Sequence, residues 1–162
     1  MQKHIVSVLT AALAALVEEL SVGLGLTRPF TALTLRDALR RWRDYRIAME
    51  PYPMGDEEIY GLCVCKRPGY YVIFYRADAT LLQQQRILFH ELCHIILSHV
   101  SPLHPVHVLR EPLAATLQEQ EAEMFAAVMT WYALASAPAR RATHAEKEPD
   151  DRFTGWLKVI GG

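Results

Sequence analysis

Two histidines and a glutamate lie close together near the middle of this 162-residue chain, in the sequence HELCH at residues 90–94. Positions i and i+4 differ by about 40° around a helix, so His90 and His94 point into one space and can hold one metal ion. Glu91 lies about 100° from His90, where its carboxylate can reach a water on the metal rather than the metal itself. Zinc lowers the pKa of such a water to about 7, and the carboxylate then takes its proton as the water attacks a carbonyl. The spacing predicts a hydrolytic zinc site, and a pair of plain core histidines is the alternative.

A catalytic zinc site needs a third protein ligand and leaves the fourth position to water. The metzincin spacing is absent, because it requires glycine at position 97 and histidine at position 100, where the chain has leucine and valine. Two later histidines lie in a proline-bounded segment that can border the cleft, where either can stabilise the oxyanion instead. The candidates for the third ligand are His99, His104, His107 and the glutamates of QEQEAE at residues 118–123.

Helical phase separates these glutamates. Stepping about 100° per residue, Glu119 and Glu123 lie about 160° from Glu121, on the opposite face of the helix. Glu121 lies at the centre of an apolar stripe, where an unpaired charge is expensive. We therefore predict Glu121 as the third ligand, with an ion pair to an arginine as the alternative. The stripe consists of Leu117, Met124, Phe125, Val128 and Tyr132.

The elements that must position these residues can be read from the hydrophobic pattern. The HExxH motif lies in a predicted helix from about Ala79 to His99 that is apolar on nearly every side and is therefore central to the fold. A last long helix, from about Glu111 to Leu134, carries the third ligand. The prediction is an α+β fold of N-terminal helices, a small three-stranded sheet, the HExxH helix and the last helix. The predicted strands are Ile47–Met49, Ile59–Cys65 and Tyr70–Tyr75, the last two joined as a hairpin at residues 67–69.

Composition narrows the class of protein. Hydrophobic residues make up 51% and charged residues 22% of the chain, and the net charge is −1, so no basic field recruits nucleic acid or acidic lipid. Three cysteines cannot form a closed disulfide set, which favours a reducing cytosol. Residues 1–18 resemble a signal peptide, but an apolar stripe at helical spacing favours a core helix.

The flanks of the predicted site carry two further features. Arginines follow one another in a predicted helix after residue 34, which indicates a solvated face and, as the less favoured alternative, a docking face for an acidic partner. We expect a single domain over residues 1–137, then a linker and an apolar tail over residues 138–162. The arginines are Arg36, Arg40, Arg41, Arg43 and Arg46, and the tail cluster runs from Phe153 to Ile160.

The sequences ILFHELCHIILSH and EQEAEMFAA together resemble the ImmA/IrrE family of bacterial zinc metallopeptidases. In this resemblance His90 and His94 match the histidine ligands, Glu91 the catalytic glutamate and Glu121 the third ligand. The resemblance is specific over about residues 70–132 and looser back to residue 35, and it covers neither residues 1–33 nor the tail. Cys93 departs from the glycine that is common in the family.

The resemblance implies a zincin-like fold and a gluzincin-like endopeptidase that holds one Zn²⁺ per chain in the bacterial cytoplasm. The expected reaction is site-specific cleavage of a helix-turn-helix transcriptional repressor by a zinc-bound water that Glu91 activates. No direct contact with nucleic acid or membrane is expected. The alternative is a non-proteolytic module that sequesters a regulator and uses zinc only for stability. The presence of Glu91 favours the enzyme, because a structural zinc site does not need it.

Overall fold

The computed structural model describes residues 2–55, 58–110 and 116–135. Within these ranges the chain forms four helices and one four-stranded sheet, which confirms the predicted α+β class. The helices are α1 (Gln2–Gly23), α2 (Ala32–Arg43), α3 (Leu81–Ile96) and α4 (Leu117–Leu134). The strands are β1 (Arg46–Tyr52), β2 (Ile59–Arg67), β3 (Tyr70–Arg76) and β4 (Val106–Arg110).

The sheet is mixed, and its strand order is β1-β3-β2-β4. β1 runs parallel to β3, whereas β2 is antiparallel to both of its neighbours. β2 and β3 form the predicted hairpin, in which Gly69 has φ +75°, a conformation that favours glycine. The expected three strands are corrected to four. β4 lies in the proline-bounded segment that carries His104 and His107. Its five residues are too few to predict a strand from their pattern, and they become one by pairing with β2.

The helix that carries HExxH begins with a capping box. The Thr80 hydroxyl accepts from the Gln83 backbone N–H, and the Gln83 side chain accepts from the Thr80 backbone N–H. Nine consecutive residues, 87–95, are buried on α3. The helix packs against α2, α4, β2 and β3, so the prediction of a central helix is confirmed.

The face that α4 turns inward differs from the predicted apolar stripe. Leu117 is 70% exposed and Met124 is 50% exposed. The buried face is rich in alanine, which lets the helix backbones approach closely, whereas our stripe was defined by large apolar side chains. The buried residues are Glu119, Ala122, Phe125, Ala126, Met129, Tyr132 and Ala133.

The N-terminal helix joins the same core. Val17 and Leu20 of α1 are buried, and α1 packs against α4. Among the described residues, no helix is both long and apolar enough to cross a membrane. On α2, Arg40 and Arg41 are exposed. The predicted linker and apolar tail, residues 138–162, lie outside the described residues.

Candidate metal centre

The two histidines of the motif converge inside the protein. His90 and His94 are each 1% exposed, and their Nε2 atoms are 3.0 Å apart. This arrangement follows from the i, i+4 spacing on α3, as expected. Each ring directs its Nε2 inward because its Nδ1 is engaged elsewhere, at Glu123 for His90 and at His99 for His94.

Two other elements complete a cluster of possible ligands. Glu119 of α4 places Oε1 3.1 Å from His94 Nε2 and Oε2 3.4 Å from His90 Nε2. His107 of β4 stacks its ring on that of His94, with 3.7 Å between ring centroids, and its Nε2 contacts Glu119 Oε1. One ligand atom from each of these four residues lies within 4.8 Å of the others.

Glu121 lies outside this cluster. Its side chain is 49% exposed, and its Oε2 is 3.1 Å from His99 Nε2. The structure therefore does not bring the predicted third ligand to the two histidines and places Glu119 there instead. The phase argument separated these glutamates correctly but assigned the inward direction to the wrong face of α4.

A different reading of the same sequence could have found Glu119. Small or apolar residues follow it at helical intervals of three, seven and ten positions, namely Ala122, Ala126 and Met129, all buried. His107 carries a weaker signal, because it is one polar residue within the short apolar segment 106–109. His104 is exposed and is not in the cluster.

The carboxylate of Glu91 is wholly buried beside the cluster. Its Oε2 accepts a hydrogen bond of 2.8 Å from His107 Nδ1, whereas Oε1 has no hydrogen-bond partner among the described residues. Gly61 of β2, which lacks a side chain, leaves the space that the Glu91 carboxylate occupies. A Cβ at position 61 would lie 2.8 Å from Glu91 Oε1 and 2.9 Å from Ile87 Cγ2. A buried carboxylate oxygen without a partner is costly in a plain core.

The electrostatics of the cluster favour ionised carboxylates. Burial by itself raises the pKa of Glu119, but hydrogen bonds from His107, His90 and His94 outweigh it and hold that pKa well below its usual range. The hydrogen bond from His90, with Arg86 also in contact, lowers the pKa of Glu123 to about 2 against the opposing effect of burial. The site therefore concentrates negative charge next to imidazole nitrogens.

The histidines respond to these carboxylates in different ways. Burial alone would lower the pKa of His90, but hydrogen bonds to Glu119 and Glu123 raise it to about 9. Burial would likewise lower the pKa of His107, and hydrogen bonds to Glu119 and Glu91 raise it to about 9. For His94, burial prevails over the hydrogen bond to Glu119, so its pKa is lowered.

The donor set fits a divalent metal such as zinc. Imidazole nitrogens and a carboxylate oxygen are ligands that zinc commonly takes. The Nε2 atoms of His90 and His94 face each other and a carboxylate, an arrangement that a shared cation stabilises. The carboxylate of Glu123 behind His90 matches the outer support that metal-binding histidines usually have.

Comparison with known proteins agrees with this geometry. The family model of the IrrE N-terminal-like domain, the M78 peptidases, matches residues 45–148, more than half of the chain. No curated protein matches the chain at a significant level. The matched range includes the whole cluster, and the family suggests a metallopeptidase. The resemblance to the ImmA/IrrE family is thus confirmed, and the chain belongs to the IrrE N-terminal-like family of M78 peptidases.

Proposed function

We propose that this protein is a zinc-dependent endopeptidase with a zincin-like fold. His90, His94 and Glu119 would hold one zinc ion, and Glu91 would act as general base and then as general acid. The observation that carries the proposal is the fully buried Glu91 carboxylate, which contacts His107 of the ligand cluster through Oε2, while Oε1 has no hydrogen-bond partner among the described residues. Membership of a peptidase family supports it.

Glu91, His107 and Gly61 have separate roles in the proposed peptide hydrolysis. A zinc ion held by His90, His94 and Glu119 would polarise the peptide carbonyl and lower the pKa of water. Glu91 would take a proton from the attacking water and deliver it to the nitrogen of the leaving amine. The hydrogen bond from His107 to Oε2 holds the carboxylate in place for both transfers. Gly61 allows β2 to pass close enough to keep this carboxylate enclosed.

His107 has a second role in the proposed reaction. Both of its ring nitrogens face carboxylate oxygens, those of Glu91 and Glu119, so both carry hydrogen and the ring is a cation. A cation next to the reacting carbonyl stabilises the negative charge that develops on its oxygen. The sequence had left His104 and His107 as alternatives for this role, and the exposure of His104 favours His107.

One observation favours a second candidate function. His107 belongs to the group of possible ligands, and three histidines with one glutamate would complete a tetrahedral site. Closed tetrahedral sites are typical of structural zinc. In that case the protein is a non-proteolytic module that sequesters a regulator. The enzyme is the stronger candidate, because a structural site has no use for the buried carboxyl group of Glu91.

The proposed substrate is a helix-turn-helix transcriptional repressor in the bacterial cytoplasm. The resemblance to the ImmA/IrrE family supports this substrate, and the net charge of −1 supports the absence of direct nucleic-acid binding. The exposed Arg40 and Arg41 on α2 offer a basic face on which an acidic surface of such a partner could dock.

The test is cleavage of helix-turn-helix repressors from the same genome by the zinc-loaded protein, followed by mass spectrometry of the products. We expect one cut in one repressor. Glu91→Gln should keep one zinc per chain by elemental analysis and abolish cleavage. Glu50→Gln, a change at an exposed glutamate of β1, is the control and should cleave normally.

Two results would count against the proposal. Cleavage at the same rate by Glu91→Gln would exclude Glu91 as the base. A stable complex of the zinc-loaded protein with an uncut repressor, unaffected by Glu91→Gln, would favour the sequestering module.

A further inference from the structure

The end of α3 folds back on itself at an unusual residue. Ser98 has φ +59°, in the left-handed region, and its N–H donates to Ile95 O at 3.1 Å. The next residue, His99, donates its N–H to His94 O at 2.8 Å. These two bonds form a Schellman motif, which returns the chain over the last turn of the helix. As a result, the His99 ring lies against that of His94, with 5.1 Å between the centroids.

A chain of hydrogen bonds runs through His99 to α4. His99 Nδ1 is 3.0 Å from His94 Nδ1, and His99 Nε2 is 3.1 Å from Glu121 Oε2. The side chain of His99 is only 8% exposed, so water competes little for its bond to His94, whereas its bond to Glu121 lies at the protein surface. The chain therefore links an exposed glutamate to a fully buried histidine of the metal centre.

The hydrogen-bonding capacity of each group sets the direction of this chain. The Glu121 carboxylate only accepts, so the hydrogen of a neutral His99 lies on Nε2. His99 Nδ1 is then an acceptor, and the hydrogen of His94 must lie on its Nδ1. This assignment leaves the lone pair of His94 on Nε2, the atom that faces the ligand cluster.

The other histidine of the motif is held in a simpler way. His90 Nδ1 donates directly to Glu123 Oε2 at 3.0 Å. Each histidine thus has a carboxylate of α4 behind its Nδ1, one directly and one through a second imidazole. The three glutamates of EQEAE would then have three separate roles. Glu119 would bind the metal, Glu123 would support His90, and Glu121 would support His94 through His99.

We propose that His99 and Glu121 are positioning residues that hold His94 in the orientation and tautomer required for metal binding. This inference rests on the proposed function for the assignment of His94 as a ligand, but it does not depend on peptidase activity. Neither residue would contact the metal or the substrate. Loss of such outer partners typically lowers metal affinity by about 10–100-fold.

The test is the zinc affinity of the purified chain, measured by competition with a chromophoric chelator. His99→Phe keeps a ring but has no acceptor for His94, and we expect it to weaken zinc binding by roughly 10–100-fold. His99→Gln keeps one acceptor and one donor and should recover part of this loss. Glu121→Ala, at an exposed position that leaves the core intact, should weaken binding to a similar or smaller extent. His104→Phe, at the exposed histidine outside the cluster, is the matched control and should bind zinc normally.

A second readout reports on the tautomer directly. The ¹⁵N chemical shifts of His94 should show hydrogen on Nδ1 in the zinc-loaded wild type, and the shift of that nitrogen should change in His99→Phe and Glu121→Ala. Normal zinc affinity and an unchanged His94 signal in both variants would overturn the inference while leaving the proposed peptidase standing. A wild-type chain that binds no zinc would overturn both.

Discussion

Glu119 and Glu121 are two residues apart on α4, yet they meet different surroundings. The Glu119 side chain is 9% exposed and contacts three histidines, whereas Glu121 is half exposed and contacts His99. Removal of an outer partner of a metal ligand typically lowers metal affinity by roughly 10–100-fold. We expect Glu119→Ala to weaken zinc binding by more than this, because it removes a ligand itself. Glu121→Ala should stay within that range. Chelator competition measures both, and equal losses would contradict the assignment of Glu119 as the ligand.

His107 separates the two candidate functions. If it acts on the substrate and on Glu91, His107→Phe should keep one zinc per chain, and its zinc affinity should fall by no more than roughly 10–100-fold, because the ligand Glu119 loses only an outer hydrogen bond. The same variant should lower kcat by roughly 10²-fold, because Glu91 loses the hydrogen bond that holds its carboxylate in place. Elemental analysis, chelator competition and repressor cleavage provide the measurements. A large loss of zinc affinity would instead indicate a fourth ligand and a structural site.

At the scale of elements, the approach of β2 to α3 depends on Gly61. A methyl group there would lie within 3 Å of both Glu91 Oε1 and Ile87 Cγ2, so the carboxylate must move. We expect Gly61→Ala to retain zinc and to lower the cleavage rate by at least tenfold, since a small displacement of a catalytic group has effects of roughly this size. Gly55→Ala is the matched control, because nothing lies within 4 Å of its added Cβ. Normal cleavage by Gly61→Ala would show that the close approach has no role in catalysis.

The three cysteines are buried in the core, two of them on β2 and one on α3. Burial raises the pKa of Cys63, Cys65 and Cys93, so their reactive thiolate forms are rare at pH 8. We predict no alkylation by iodoacetamide in the folded protein at pH 8 and three alkylated thiols after denaturation, counted by mass spectrometry. Because the pKa values are raised, reactivity should increase as the pH rises. Rapid alkylation of the native chain at pH 8 would contradict this burial.

At the scale of the whole molecule, the candidate ligands come from α3, β4 and α4. A metal that joins these elements binds the folded state and not the unfolded chain, so it stabilises the fold. With free zinc at 1,000 times its Kd, the expected gain is roughly 4 kcal/mol, or roughly 10 °C in Tm. Differential scanning calorimetry with and without a chelator measures the shift. Glu91→Gln should show the same shift as the wild type, and Glu119→Ala should show a smaller one at the same zinc concentration.

Local sequence determined the parts of this protein that depend on a single element. The convergence of His90 and His94 follows from the pitch of one helix, and the capping residue Thr80 and the β2–β3 hairpin are equally local. The family could also be recognised, because its two motifs can be read without knowing how the helices pack. These inferences need only contacts between residues close in the chain.

Tertiary structure decided which glutamate faces the candidate metal centre and that His107 joins it. The inward face of α4 depends on the packing of small alanines against other helices, a contact that the pattern of large apolar residues does not predict. β4 is a strand because β2 supplies its hydrogen-bond partners from more than 40 positions earlier. The inward face of α4 and the strand conformation of β4 both depend on the free energy of contacts between residues distant in the chain. The periodicity of a single segment contains no information on such contacts.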